Sequence, residues 1–140
     1  MAQIHLEVVT PSGPVVSEDV DIVTAPGSSG EFGVLANHAP FLTTVKTGVL
    51  HYKKDKELKY LMVSGGFAEV SDNTVTFLVE IAEYGHDIDV PRALLAKERA
   101  EKSLAQQQAH DENVSRVQAA SALQRAMARI AAAERCSRQL

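Results

Sequence analysis

One cysteine, no tryptophan and 5% aromatic residues leave this 140-residue chain without several common stabilising devices. With Cys136 alone, no intrachain disulfide can form, which suits a reducing compartment. The longest apolar runs fall far short of the ~20 residues that span a bilayer. Met1-Ala2-Gln3 leads directly into alternating text, so no secretory leader is expected, and the Asn113-Val114-Ser115 sequon is read as chance. Glycine and proline are both absent after Pro91. The five histidines at 5, 38, 51, 86 and 110 are scattered without metal-ligand spacing. No serine, cysteine or histidine forms a recognisable nucleophile–base set, so neither catalytic nor metal-ligating residues are expected.

What remains is 45% hydrophobic, enough for one domain with a smaller appendage. Charge is unevenly spread. Residues 1–90 hold 5 lysines against 13 acidic residues, a balance of −8, whereas residues 91–140 hold 9 basic against 5 acidic residues, a balance of +4. Such a split favours contact between the two parts, or between a basic tail and an acidic partner. The tail lacks interleaved aromatics and its charge is modest for a duplex binder, so nucleic acid is not expected as a partner.

The first part alternates with a period of two. Ile4, Leu6 and Val8 oppose His5 and Glu7, and after Thr10–Pro14 turn chemistry Val15-Val16 resumes briefly. Val20, Ile22 and Thr24 predict a second strand ending at Ala25-Pro26-Gly27. Phe41–Val45, Gly48–Lys53 and Leu58–Ser64 predict three more, with a charged turn at 53–56. Gly65-Gly66 bends the chain before Phe67–Val70, and Val75, Phe77, Val79 and Ile81 line a final strand. Many short strands with regular turns predict an all-β sandwich or flattened barrel over residues 1–87.

At Ile88–Ala93 the period becomes helical. Asp89 is a suitable N-cap, and Pro91 falls in the first turn, where a missing N–H costs little. Ala93, Ala96, Ala100, Leu104 and Gln107 share one face. After a polar break at His110–Asn113, Val117, Ala120, Leu123, Met127 and Ile130 form the expected stripe of a second helix. Residues 88–140 are thus predicted to form an antiparallel αα-hairpin. Its seam is mostly alanine, which lets helices approach closely but buries little apolar area at roughly 25 cal/mol per Å². A pair that can open is expected.

Three motifs invite a functional reading. Gly27–Gly33 is glycine-rich, but without a following Gly-Lys-Ser/Thr or a capped helix it reads as tight turns at a sheet end. His38 reads either as a turn histidine bonded to local backbone or as an exposed contact at a loop tip. Arg125 and Arg129, at i and i+4, form either a solvated charged face or an anion grip.

Taken together, Gly30–Phe41, Gly48-Val49-Leu50, Ser64–Val70, Asn73–Leu78, Ile88-Asp89-x-x-Arg92-Ala93 and Leu123–Arg129 closely resemble the epsilon subunit of bacterial F-type rotary ATP synthase. The resemblance runs nearly end to end. It implies a non-catalytic central-stalk subunit, peripheral at the cytoplasmic face of the inner or plasma membrane. The sandwich would clamp the gamma subunit and sit on the c-ring loops, with the loop containing Ser28, Glu31 and His38 facing the ring. Extended along gamma, the helices would reach the beta and alpha subunits and block ATP hydrolysis. The family motif further implies a regulatory ATP, not a required cofactor, at Ile88, Asp89, Arg92, Ala93, Arg125 and Arg129, with Glu83 and Arg99 as auxiliaries. Pro91 departs from the pattern by removing a backbone donor. The competing readings are a purely structural coupling subunit and a stand-alone small-molecule-binding sandwich, the latter disfavoured by the lack of a convergent polar pocket in the strands.

Overall fold

A computed structural model describes residues 2–110 and 113–138; residues 111–112 in the polar break, and the side chains of Gln107 and the Asn113–Ser115 sequon, lie outside the described residues. Among the described residues, eight strands precede two helices: β1 (Ile4–Thr10), β2 (Gly13–Val20), β3 (Ile22–Gly27), β4 (Gly30–Leu35), β5 (Phe41–Val45), β6 (Gly48–Lys54), β7 (Glu57–Ser71), β8 (Thr74–Tyr84), then α1 (Val90–His110) and α2 (Asn113–Ser137). Among the described residues, no helix is long and apolar enough to cross a membrane.

The long strands β7 and β8 organise the sandwich. The first half of β7 pairs with β6, from Lys54↔Glu57 to Gly48↔Val63, and its second half with β5, from Val45↔Gly66 to Phe41↔Val70. β8 follows β7 antiparallel along both halves and takes β1 as a parallel neighbour at its start. One continuous ladder thereby folds into two layers, with strand order β2-β1-β8-β7-β5-β3-β4 and β6 joining β3 to β7. Alternation puts Ile4, Leu6, Val8, Leu61, Val63 and Phe77 between the layers with no exposed surface.

The expected bend at Gly65-Gly66 is where β7 passes between layers. Gly65 has φ +61°, and a Cβ on Gly66 would stand 1.9 Å from the carbonyl oxygen of Leu78. The backbones of β7 and β8 approach too closely there for any side chain. The sandwich does not close into a barrel: among the described residues no ladder joins β2 to β6, and side chains bridge that gap. Tyr52 donates to Glu18 at 3.4 Å, Lys54 pairs with Glu18 at 3.8 Å, and the Tyr52 and Tyr84 hydroxyls lie 3.2 Å apart. Burial is the main reason the Tyr52 phenol is pushed above its ordinary pKa, helped by the hydrogen bond with Tyr84.

Three local readings change. The alternation through Val20–Thr24 hides a corner at Asp21, whose carboxylate accepts from Gln3 Nε2 at 3.1 Å and from the Asp55 amide at 2.8 Å. The run after Gly27 is a two-residue hairpin, with Gly27 opposite Gly30 and β4 continuing to Leu35. Strand β2 spans eight residues where only Val15-Val16 was expected, because its alternation is irregular, with exposed and half-buried side chains between Val16 and Val20.

Replacing Gly66 by alanine forces two backbones apart. We expect Gly66→Ala to cost about 3 kcal/mol, at the upper end of overpacking penalties. Urea denaturation followed by far-UV circular dichroism checks this; a loss below about 1 kcal/mol would refute the close-approach argument.

Candidate functional site

The helices join the sandwich through α2; α1 packs chiefly against α2. Among the described residues, the buried helical positions are all alanine: Ala93 and Ala100 on α1, and Ala119, Ala126, Ala128, Ala132 and Ala133 on α2. Ala93 and Ala100 are seven residues apart, as are Ala119, Ala126 and Ala133 in turn, a spacing that keeps small residues on one seam. The stripe expected on α2 is therefore displaced. Val117 and Met127 are 65% and 51% exposed, while Ala120, Leu123 and Ile130 are half-buried. Side-chain size explains the difference, since close approach admits alanine and turns bulkier neighbours outward.

The second face of α2 lies on β6 and β7. Ala128 and Ala132 pack with Met62, and Val49, Ile81 and Ile88 border that cluster. A Cβ on Gly85 would come within 2.6 Å of the Ala132 carbonyl oxygen, so backbone meets backbone at this point too. Gly85–Asp87 forms a single 3-10 turn between β8 and Ile88.

Between this turn, α1 and α2 opens a cleft of about 390 Å³, lined by Glu83, Asp87, Ile88, Asp89, Arg92, Ala93, Ala96, Arg99 and Arg129. Its size falls within the range of small-molecule sites. Arg92, Ala96 and Arg99 share one face of α1, at i, i+4 and i+7. Arg129 enters from α2 and donates its Nε–H to Glu83 Oε1 at 2.6 Å. The Arg129 side chain is 28% exposed, so this charge-assisted bond is only partly screened. Asp89 caps α1: its Oδ1 accepts the Arg92 amide at 3.1 Å and its carbonyl accepts the Ala93 amide at 3.0 Å. Pro91, the second helical residue, has no amide to satisfy.

The cleft gathers Glu83, Ile88, Asp89, Arg92, Ala93, Arg99 and Arg129 from the residues singled out in the sequence, but Arg125 is not in its lining. Arg125 sits one turn before Arg129 on α2, about 6 Å along the axis, and is half-buried. Asp87 and Ala96 were missed. Ala96 follows Ala93 at helical spacing and was legible as a lining residue; Asp87 carried no local signal. With three carboxylates and three guanidiniums, the cleft can grip an anion while offering acceptors to a ligand's donor groups.

The other predicted positions do not share one loop. Ser28 lies in the β3–β4 hairpin, its hydroxyl accepting from Thr44 Oγ1 at 2.7 Å, and Glu31 is exposed at the start of β4. His38 follows the far end of β4, roughly 20 Å away by strand rise. Its Nδ1 bonds the Ala39 carbonyl at 2.7 Å and its ring stands edge-on to Phe41 at 5.9 Å, the arrangement of a turn histidine. The glycine-rich run is a hairpin, not a phosphate cradle.

Asp89→Ala should lower helix stability by about 1 kcal/mol, whereas Asp89→Asn, which keeps a capping acceptor, should cost little. Thermal denaturation read at the helical circular-dichroism band distinguishes them; equal losses would show that the charge, not the cap, is what matters.

Sequence and structure comparisons agree with this architecture. The beta-sandwich domain of the ATP synthase delta/epsilon chain matches residues 3–85, and its long alpha-helix domain matches residues 86–134. An ATP synthase epsilon chain of Nitratidesulfovibrio vulgaris strain DP4 is 54% identical over 127 residues, covering 91% of this chain and 92% of that one. An ATP synthase epsilon chain 2 of Syntrophotalea carbinolica is 47% identical over 139 residues, covering 99% of both. A chain in the cryo-EM structure of the Euglena gracilis mitochondrial ATP synthase, OSCP/F1/c-ring in rotational state 1, superposes with a TM-score of 0.77 at 27% identity, over 89% of this chain and 77% of that one. This chain belongs to the epsilon-chain family of F-type ATP synthase.

Proposed function

We propose that the chain is a non-catalytic central-stalk subunit whose sandwich couples gamma to the c-ring and whose helices detach to inhibit ATP hydrolysis. The solved relative in an F1/c-ring assembly supports the setting. The observation that carries the detachable arm is the inversion of side-chain size: alanines fill the seams, while Leu94, Leu95, Val117 and Met127 stand 47%, 59%, 65% and 51% exposed. Large apolar groups on the outside are available to a second arrangement in which they are buried.

On the sandwich, Leu42, Phe67 and Leu78 are 69%, 56% and 55% exposed on one outward sheet face. This apolar face suits gamma, and the Ser28–Glu31 hairpin suits the polar loops of the ring. The extended helices would bring the net-positive tail toward beta and alpha, and membrane association would be peripheral, through the complex. Deleting residues 88–140 should leave assembly intact and raise ATP hydrolysis by the complex. An assembled complex whose hydrolysis is unchanged would favour the structural-coupling reading.

A second reading places a regulatory ATP in the cleft, supported by the convergence of Arg92, Arg99 and Arg129 on one small-molecule-sized space. Arginines would hold the phosphates and Asp89 or Glu83 would accept from base or sugar. Arg129 would have to share its guanidinium with Glu83. ATP bound there would bridge α1 and α2 to the sandwich and favour the docked helices. Calorimetry of the full chain should detect ATP binding. Arg92→Ala and Arg129→Ala should each weaken it by about 1–3 kcal/mol, and Arg125→Ala by less. No heat of binding at millimolar ATP would remove this reading without touching the inhibitory one.

A further inference from the structure

The end of α2 beyond Ala132 is held differently from the alanine seams. The Arg135 guanidinium lies 4.8 Å from the centroid of the Tyr60 ring, a cation–π contact. The neighbouring His51 ring sits 5.6 Å from the same Tyr60 ring, His51 and Tyr60 being opposite one another on β6 and β7. One aromatic ring thus serves both a permanent cation and a titratable group, at the seam where α2 meets the sandwich.

We propose that His51 is a pH-sensitive latch for α2: neutral, it leaves the Arg135–Tyr60 contact intact, and protonated, it drives the end of α2 off the sandwich. The inference rests on the detachable-arm reading above. The groups facing His51 are Arg135 from α2, Tyr60 from β7 and Glu31 from β4, with Lys53 two residues along its own strand on the same face. Glu134, beside Arg135, is turned to Arg138 at 3.9 Å. Partial burial holds His51 below the ordinary histidine value, Arg135 adds to this by like-charge repulsion, and Glu31 opposes it. The carbonyl end of α2 attracts positive charge, and Arg135 is the basic residue of its last turn.

The direction follows from linkage. A histidine whose value is depressed in the docked form stabilises docking above its undocked value, near 6.5, and that contribution is lost as pH falls through the docked value. Between the undocked and docked values the docked-to-open ratio falls by up to tenfold per pH unit, as one proton is taken up on opening, and below the docked value it levels off. Acidification therefore opens the arm from its C-terminal end, whereas ATP in the cleft would hold it from the other.

NMR titration of His51 in the full chain tests the latch. The wild-type ring should titrate below the ordinary value, and Arg135→Gln should raise it. Gly85→Val, whose side chain collides with the Ala132 carbonyl and undocks α2, should return it to the ordinary value. In a Cys136→Ser background, the distance between spin labels at Lys56→Cys and Arg138→Cys should lengthen between pH 7.5 and pH 5, and His51→Gln should abolish that response. A wild-type His51 that titrates as it does in Gly85→Val overturns the proposal. So does a label distance indifferent to pH, or an acid response that survives His51→Gln. Each of these outcomes is independent of whether deleting the helices raises hydrolysis, so failure of the latch and failure of the arm are told apart.

Discussion

The close seating of α2 on the sandwich is the constraint on which the rest depends. Ala132 lies against Gly85 with no room for a side chain between them, and Met62 fills the space beside it. With α2 fixed there, Arg129 falls opposite Glu83 and Arg135 over Tyr60. Because α1 packs chiefly on α2, the cleft also exists only while α2 is seated. Docking, cleft and latch are three consequences of one backbone approach, so disturbing any of them shifts the same equilibrium.

The strength of that approach is limited by its own geometry. A buried alanine contributes about 0.8 kcal/mol, the worth of one carbon, against roughly 1.5–3 kcal/mol for a buried leucine or valine. Larger residues would hold the helices more firmly but could not fit where the chains come this close. Polar contacts at the two ends supplement the seam: the Glu83–Arg129 bond at one and the Arg135–Tyr60 contact at the other. Both are partly exposed and so of modest strength. A seam of many small terms with charged ends can be tipped by a ligand or a proton worth only a few kcal/mol.

How much of this the sequence revealed depends on the range of the interaction. The sandwich was legible because period-two alternation in β1 and β8 and the Gly65-Gly66 bend are local signals. The Asp89 cap was legible for the same reason, its partner lying three residues away. The corner at Asp21 was not, because its bonds go to Gln3 and Asp55 in other segments. The face of α2 was misread because hydrophobic pattern weighs Val117 and Met127 above alanine, whereas packing distance reverses that order. Glu83 and Arg129, 46 residues apart, were joined in the sequence only by the family motif. Tyr60 with Arg135 had no such guide.

The charge split acquires a more specific meaning from these contacts. A general attraction between an acidic sandwich and a net-positive tail would hold α2 in many positions and would fade within a Debye length of about 8–10 Å. What the fold provides instead is discrimination. Glu83 accepts Arg129, and an aromatic ring, not a carboxylate, accepts Arg135. A carboxylate at the Tyr60 position would bind Arg135 by charge and would also raise the affinity of His51 for a proton, stabilising docking in acid. An aromatic ring carries no net charge with which to offset a second cation. The choice of tyrosine there is what lets one added proton weaken the joint, and it costs the docked state little at neutral pH.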